Sequence, residues 1–217
     1  MKTSLSAARL TAYVKHQLDH FFPDGRAVRV EKPVSEAIAR IDVCFSSVKL
    51  SGYQLGGRAY FNHLHSDHYA TFLYFASNAA WRMGDDKLAA KLYCLNKALN
   101  GFMCTYDTLL PERFLIIHSV GMLLGKATYS DYFVALHDVT IGTDRGMAPH
   151  LGRELVVCGG ASIIGDCKIG QNVSVSAGSL ILNQSVPDGH VVAKTSPALL
   201  MRPAKRNLID VYFDIRR

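Results

Sequence analysis

Among the nine histidines, His118, His137 and His150 fall in a stretch rich in Val, Ile, Gly and Ser. An imidazole titrates near neutrality, so each can serve as a proton acceptor or a metal ligand, or can sit buried and bonded to backbone. His137, next to Asp138, is the weaker candidate and can merely face solvent. A second polar cluster, His63, His65, Asp67 and His68, precedes an apolar helical pattern, where it can meet a substrate hydroxyl or cap the helix. Lys194, Arg202, Lys205, Arg206, Arg216 and Arg217 gather near the C-terminus and suit a small polyanionic ligand or plain solubility. The remaining charge is dispersed through a chain of net charge +6, so nucleic acid is not an expected partner. Five cysteines, none in a C-x-x-C pair, suggest neither a disulfide framework nor a cysteine zinc site.

The elements that must position these residues differ between the two halves. Leu10, Tyr13, Val14, Leu18 and Phe21 recur at helical spacing within Ser4 to Phe22, and Pro23-Asp24-Gly25 stops the pattern. Val34, Ile38, Ile41, Phe45 and Val48 predict a second helix. Ser66 is placed to cap a third, running through Tyr69, Phe72, Leu73, Ala76, Ala80 and Met83 to Gly84. A fourth runs from Asp85 to Asn100-Gly101. No stretch approaches the length of a membrane span, and charge interrupts the first residues before a signal-like core develops. The expectation is a cytoplasmic protein with no membrane insertion.

After Asp107 a six-residue period appears. Val157, Ile163, Ile169, Val175 and Ile181 hold the first position of five successive hexads, and Ala161, Cys167, Val173, Ser179 and Ser185 hold the fifth. Three short strands per eighteen-residue coil, with aliphatics stacked inside and small residues at tight corners, account for that pattern. Leu124-Gly125, Ser130-Asp131 and Leu136-His137 keep the step less cleanly. The segment Thr143 to Gly152 breaks it and reads as a loop thrown out of a coil. The expected fold is mainly β with α: an α-helical N-terminal domain (1–105), a left-handed parallel β-helix (106–203) and a basic tail (204–217).

The run V-C-G-G-A-S, I-I-G-D-C-K, I-G-Q-N-V-S and V-S-A-G-S-L over residues 157 to 180 resembles the hexapeptide-repeat acyltransferases. With I-I-H-S-V-G-M-L-L-G (116 to 125), H-D-V-T-I-G (137 to 142) and V-P-D-G-H-V-V to T-S-P-A downstream, it is most similar to their serine acetyltransferase branch. The resemblance implies acetyl-CoA as acyl donor, with no metal. It also implies His118, seven residues before Gly125, as general base. An orienting aspartate is implied before that histidine, for which Asp107 is the candidate, alternatively a plain turn residue. His150 matches a second active-site histidine of the family or is an idle loop residue. Coenzyme A in this family follows small residues one coil apart. Gly159, Ala177 and Thr195 have that spacing, with Gly160 and Gly178 beside the first two, and Lys194, Lys205 and Arg206 are candidates for its phosphates. The family also implies a homotrimer, possibly a dimer of trimers, with sites between subunits.

Serine acetyltransferases carry an aspartate directly before the base and an arginine directly before the loop histidine, where this chain has Ile117 and Pro149. Those exchanges remove partners for an amino acid's charged groups, which favours a saccharide hydroxyl as in capsule or lipopolysaccharide O-acetylation. Serine itself is the alternative acceptor, and His65 and Asp67 are candidate acceptor contacts. Two further readings stay open. One is a metal-dependent lyase of the γ-carbonic-anhydrase type using His118, His137 and His150, whose thirteen-residue gap between the last two does not resemble that family's close pair. The other is a non-catalytic scaffold.

Overall fold

The computed structural model describes residues 1–194 and 199–215, in two compact units, Met1–Asp107 and Thr108–Arg217. Thr195 therefore lies outside the described residues.

In the first unit, Lys2–Thr3 (β1) pairs in parallel with Tyr60–Phe61 (β2), beside four helices: Ala7–Phe21 (α1), Glu31–Phe45 (α2), Ser66–Arg82 (α3) and Asp86–Asn100 (α4). The β1–β2 pairing explains why α1 starts later than its sequence pattern predicts. Ser4 donates its backbone N–H to Phe61 and meets His63 Nδ1 through its hydroxyl at 2.8 Å. Ser6 caps α1 instead, accepting from Arg9 N–H. α2 begins at Glu31, upstream of Val34, with Pro33 in its first turn where a missing N–H costs nothing. Ser66 is not a cap: His65 holds that position without a side-chain cap bond, and Ser66 is the first helical residue. α4 follows the sequence closely, with Asp85 accepting from Leu88 N–H and Gly101 closing the helix in the left-handed region at φ 62°.

α3 is the core of this unit, buried on every side from Asp67 to Ala80. Several of its polar groups are bonded accordingly, while the buried Nε2 of His68 has no hydrogen-bond partner among the described residues. Asn96 of α4 donates to Ala70 O at 2.9 Å, while Asn78 donates to Tyr106 O and accepts from Arg40, both at 2.7 Å.

His68 is fully buried and accepts Asn62 N–H at Nδ1, and burial, reinforced by neighbouring His65, pushes its pKa down to about 3. The unfolded chain takes up this proton below about 6.5 and the folded chain does not until far lower pH. The stabilising neutral form is thus fully present above 6.5 and its advantage is lost as pH falls toward 3. Between pH 7 and 5 the helical unit should lose about 2 kcal/mol from this group alone. Urea unfolding followed through Trp81, the lone tryptophan, measures it. His68→Gln, which keeps an acceptor for Asn62, should flatten that slope, and an unchanged slope refutes the assignment.

The second unit winds as a left-handed parallel β-helix of about four coils. Its first wall stacks Phe114–Ile117 (β3), Phe133–Leu136 (β5), Val156–Val157 (β8), Ser174–Val175 (β11) and His190–Lys194 (β13) in parallel. The second wall stacks Leu123–Leu124 (β4), Thr140–Gly142 (β6), Ser162–Ile164 (β9) and Leu180–Leu182 (β12). The third holds His150–Leu151 (β7) and Lys168–Ile169 (β10), extended by bridges to Thr128 and Val186. Leu199–Pro203 (β14) then turns back antiparallel to β13.

The hexads are the inside of this prism. Ile141, Ile163 and Ile181 lie in register on the second wall, and Ala135, Val157, Val175 and Val192 on the first, all without exposed surface. Pairs such as Ser162 with Leu180 are eighteen residues apart. Two departures matter. Ile169 meets Val186 only seventeen residues on, so the fourth coil is one residue short and Ser185 faces out instead of filling a corner. Thr140 pairs with Ser162, twenty-two residues on, so the break after β6 adds four residues to a coil, closed by an Asp144–Met147 bridge with Gly146 at φ 83°. The expected loop is thus a tight turn, and His150–Leu151 at the end of the range read as loop belong to the third wall.

The described part of the basic tail packs against the first wall. Leu208–Val211 forms a 3-10 turn, Ile209 and Phe213 are buried, and Phe213 meets the Tyr132 ring edge-on at 5.2 Å.

Candidate active site

His118 follows β3 at the corner between the first and second walls. Ile117 pairs with Leu136, nineteen residues on, but Leu123 pairs with Thr140, only seventeen on. The first coil therefore carries two more residues at this corner than the second. They are accommodated at His118-Ser119, where Ser119 turns inward and is buried while His118 is exposed at φ 54°. A non-glycine residue in the left-handed region costs about 1–2 kcal/mol, and here the result is an imidazole lifted off the wall.

The next coil places His137 at the same corner, its ring centre 6.3 Å from that of His118. The third coil places Gly159 there, and a Cβ on Gly159 would stand 2.5 Å from His137 Nε2 and 2.6 Å from Cε1. Gly159 is thus small because the imidazole lies over it. Gly160 and Gly178 have a different reason, the left-handed turn itself, at φ 69° and 67°. Ala177 continues the edge and is exposed. Asp138, Gly160 and Gly178 donate their N–H groups to the carbonyls of Val120, His137 and Gly159, so the corner reads Val120, His137, Gly159, Ala177, one residue per coil about 4.8 Å apart, with His118 set beside its first coil by the two-residue insertion.

Beside the lower end of this edge lies a cavity of about 230 Å³ lined by Cys158, Ser174, Ser176, Arg202, Lys205 and Arg206, among others. Cys158 and Ser176 immediately precede Gly159 and Ala177. Burial pushes the Cys158 thiol up and, with the nearby thiol, the Tyr212 hydroxyl too, so both are neutral at pH 7 and the charge of the cavity comes from its two arginines and lysine. Sequence reasoning reached the cavity's Arg202, Lys205 and Arg206 as a basic cluster suited to a polyanion but gave no sign of Cys158, Ser174 and Ser176. It also set His137 aside, although a nineteen-residue step from His118 is nearly one coil.

Other expected site residues lie elsewhere. His150 is on the third wall, exposed and paired with Lys168, so one chain does not bring it to the corner of His118 and His137. Asp107 is the exposed last residue of the helical unit. Asp67 is 4 % exposed in the first turn of α3, which argues against its reaching an acceptor, and His65 stacks on His68 with ring centres 4.1 Å apart. Lys194 ends β13, paired with Leu199. Among the described residues no three His, Cys, Asp or Glu side chains come together to hold a metal ion, and no helix is long and apolar enough to cross a membrane.

No family model matches the chain. It is 31 % identical over 103 residues to a serine acetyltransferase of Synechococcus elongatus, covering 45 % of this chain and 42 % of that protein. It is 33 % identical over 94 residues to one of Staphylococcus aureus, covering 37 % and 44 %. The chain thus matches less than half the length of these curated relatives. Among solved structures, the serine acetyltransferase of Neisseria gonorrhoeae superposes with a TM-score of 0.70 at 18 % identity, covering 98 % of this chain and 86 % of that one. That of Brucella abortus gives 0.63 at 18 % identity, covering 93 % and 82 %. A soybean serine acetyltransferase complexed with serine gives 0.61 at 20 % identity, covering 84 % and 72 %. Over the matched residues the chain is similar in sequence to serine acetyltransferases, and the solved serine acetyltransferases share its fold, four helices and a β-helix of stacked hexads, so the chain resembles the hexapeptide-repeat acyltransferases in their serine acetyltransferase-like branch.

Proposed function

We propose that the protein is an acetyl-CoA-dependent O-acetyltransferase in which His118 takes the proton from an acceptor hydroxyl. The observation that carries this reading is a single edge of the β-helix with an exposed imidazole at one end and a cationic cavity at the other. The coenzyme's phosphates suit Arg202, Lys205 and Arg206. From the fourth coil to the first is about 14 Å at strand spacing, a distance for the extended thiol arm to cover along Ala177 and Gly159. Neutral His118 accepts the hydroxyl proton as oxygen attacks the thioester carbon, and the thiolate then leaves and takes that proton. His150, on another wall, would enter such a site from a neighbouring subunit. A homotrimer is supported by Leu180 and Leu182, each half exposed on the second wall.

Serine is the favoured acceptor, because the relatives are named for it and one neighbour was solved with serine bound. The saccharide reading ranks second and rests on Ile117 and Pro149, which offer an amino acid no charged partner. Thiol release from acetyl-CoA, measured against serine, hexoses, nucleotide sugars and oligosaccharides, decides. Serine should give the highest kcat/KM. A saccharide surpassing it reverses the ranking, and no release with any acceptor removes the acyl-transfer reading itself. Placement in the cytoplasm belongs to the same proposal.

A further inference from the structure

On the proposed function, the thioester's path along the corner leads past His137. A coenzyme whose phosphates occupy the cavity beside Cys158 and Ser176 runs up the corner past Ala177 and Gly159, and the next side chain it meets is the imidazole of His137, one coil before His118. The Nε2–Cε1 side of that ring faces Gly159, and neither ring nitrogen is hydrogen-bonded to another described residue. The ring is exposed and is held by the glycine beneath it. Its centre lies 6.3 Å from that of His118, close to the span of two hydrogen bonds of about 2.9 Å placed end to end. What fits between the rings is therefore a small reacting group and not a bulky one.

We propose that His137 is a catalytic residue that donates a hydrogen bond to the oxyanion formed during transfer, an inference that rests on the acyl-transfer reading of the same edge. The hydroxyl oxygen bonds to the thioester carbon as its proton passes to His118. The carbonyl π pair moves onto oxygen, which accepts the N–H of neutral His137. The pair then returns, the C–S bond breaks, and the thiolate takes the proton from His118, so His137 ends as it began. A donor fixed by packing on Gly159 needs no rearrangement as that charge appears, which is the condition under which such a donor accelerates reaction. Gly159 accordingly acts through His137 as a positioning residue.

The test is steady-state acetyl transfer by the full chain with its best acceptor. His137→Ala should lower kcat about 10²- to 10³-fold with the KM for acetyl-CoA nearly unchanged. His137→Gln, which keeps an N–H donor, should recover about a tenth or more of the lost activity. Gly159→Ala should lower kcat by pushing the ring aside and add nothing further in the His137→Ala background. The proposal is overturned if His137→Ala stays within threefold of the parent, roughly 0.65 kcal/mol at RT of 0.59 kcal/mol, if its loss lies wholly in KM, or if the glutamine is no better than the alanine. A parent chain that releases no thiol with any acceptor defeats acyl transfer altogether, whereas an active parent with an indifferent His137→Ala defeats only this role.

Discussion

His118→Asn should lose about 10²- to 10⁴-fold in turnover while still binding acetyl-CoA, the range expected when a positioned base is removed. Asparagine is the informative choice because it tolerates the left-handed backbone that His118 adopts at φ 54°, whereas alanine there adds strain unrelated to chemistry. The side chain is exposed and fills no part of the prism, so its loss should leave thermal stability nearly intact. Coenzyme A retention, measured by calorimetry, should persist because the cavity lies on the third and fourth coils. Turnover within tenfold of the parent would remove His118 from the reaction, and loss of coenzyme binding would show that the corner shapes the thioester path and not the proton transfer.

Ile163→Ala should destabilise the β-helix by about 2–5 kcal/mol, the cost of emptying a buried aliphatic site that cannot collapse. Ile163 is sandwiched in register between Ile141 and Ile181, and none of the three has exposed surface. Backbone ladders hold the coils at fixed spacing, so neighbours cannot move in to close the void. Far-ultraviolet circular dichroism in urea follows the loss. Fluorescence of Trp81, in α3 of the other unit, supplies a separate record of the helical unit in the same sample. A change below about 1 kcal/mol would mean that this position does not face a closed interior.

Much of the β-helix was legible because the inside of a triangular coil accepts only aliphatics and small residues, so Val157, Ile163, Ile169, Val175 and Ile181 leave a period that propensity cannot blur. Ser185 was misread because a deletion of one residue shifts register without changing composition. The turn after β6 looked longer than it is, since a run of Thr, Asp, Arg and Gly gives no sign that Asp144 and Met147 pair across it. In the helical unit, Ser66 has the composition of a cap, but the chain enters α3 one residue earlier, at His65. The geometry of the candidate site was legible only in part. His118 came from resemblance, whereas its pairing with His137 depends on two extra residues at one corner, visible only once the register of both walls is known. The cavity joins residues 158 and 174 to 202, 205 and 206 through the reversal from β13 to β14, which no hexad records.

That reversal has another effect. A stack of identical parallel rungs ends in an open row of backbone donors and acceptors, which is a template on which a further copy can add and begin a filament. On the first wall β14 occupies that row in the opposite direction, and its own outer rim carries Arg202 and Pro203, a charge and a residue without N–H. The strand that walls the cationic cavity thus also protects the molecule from end-to-end polymerisation along that wall.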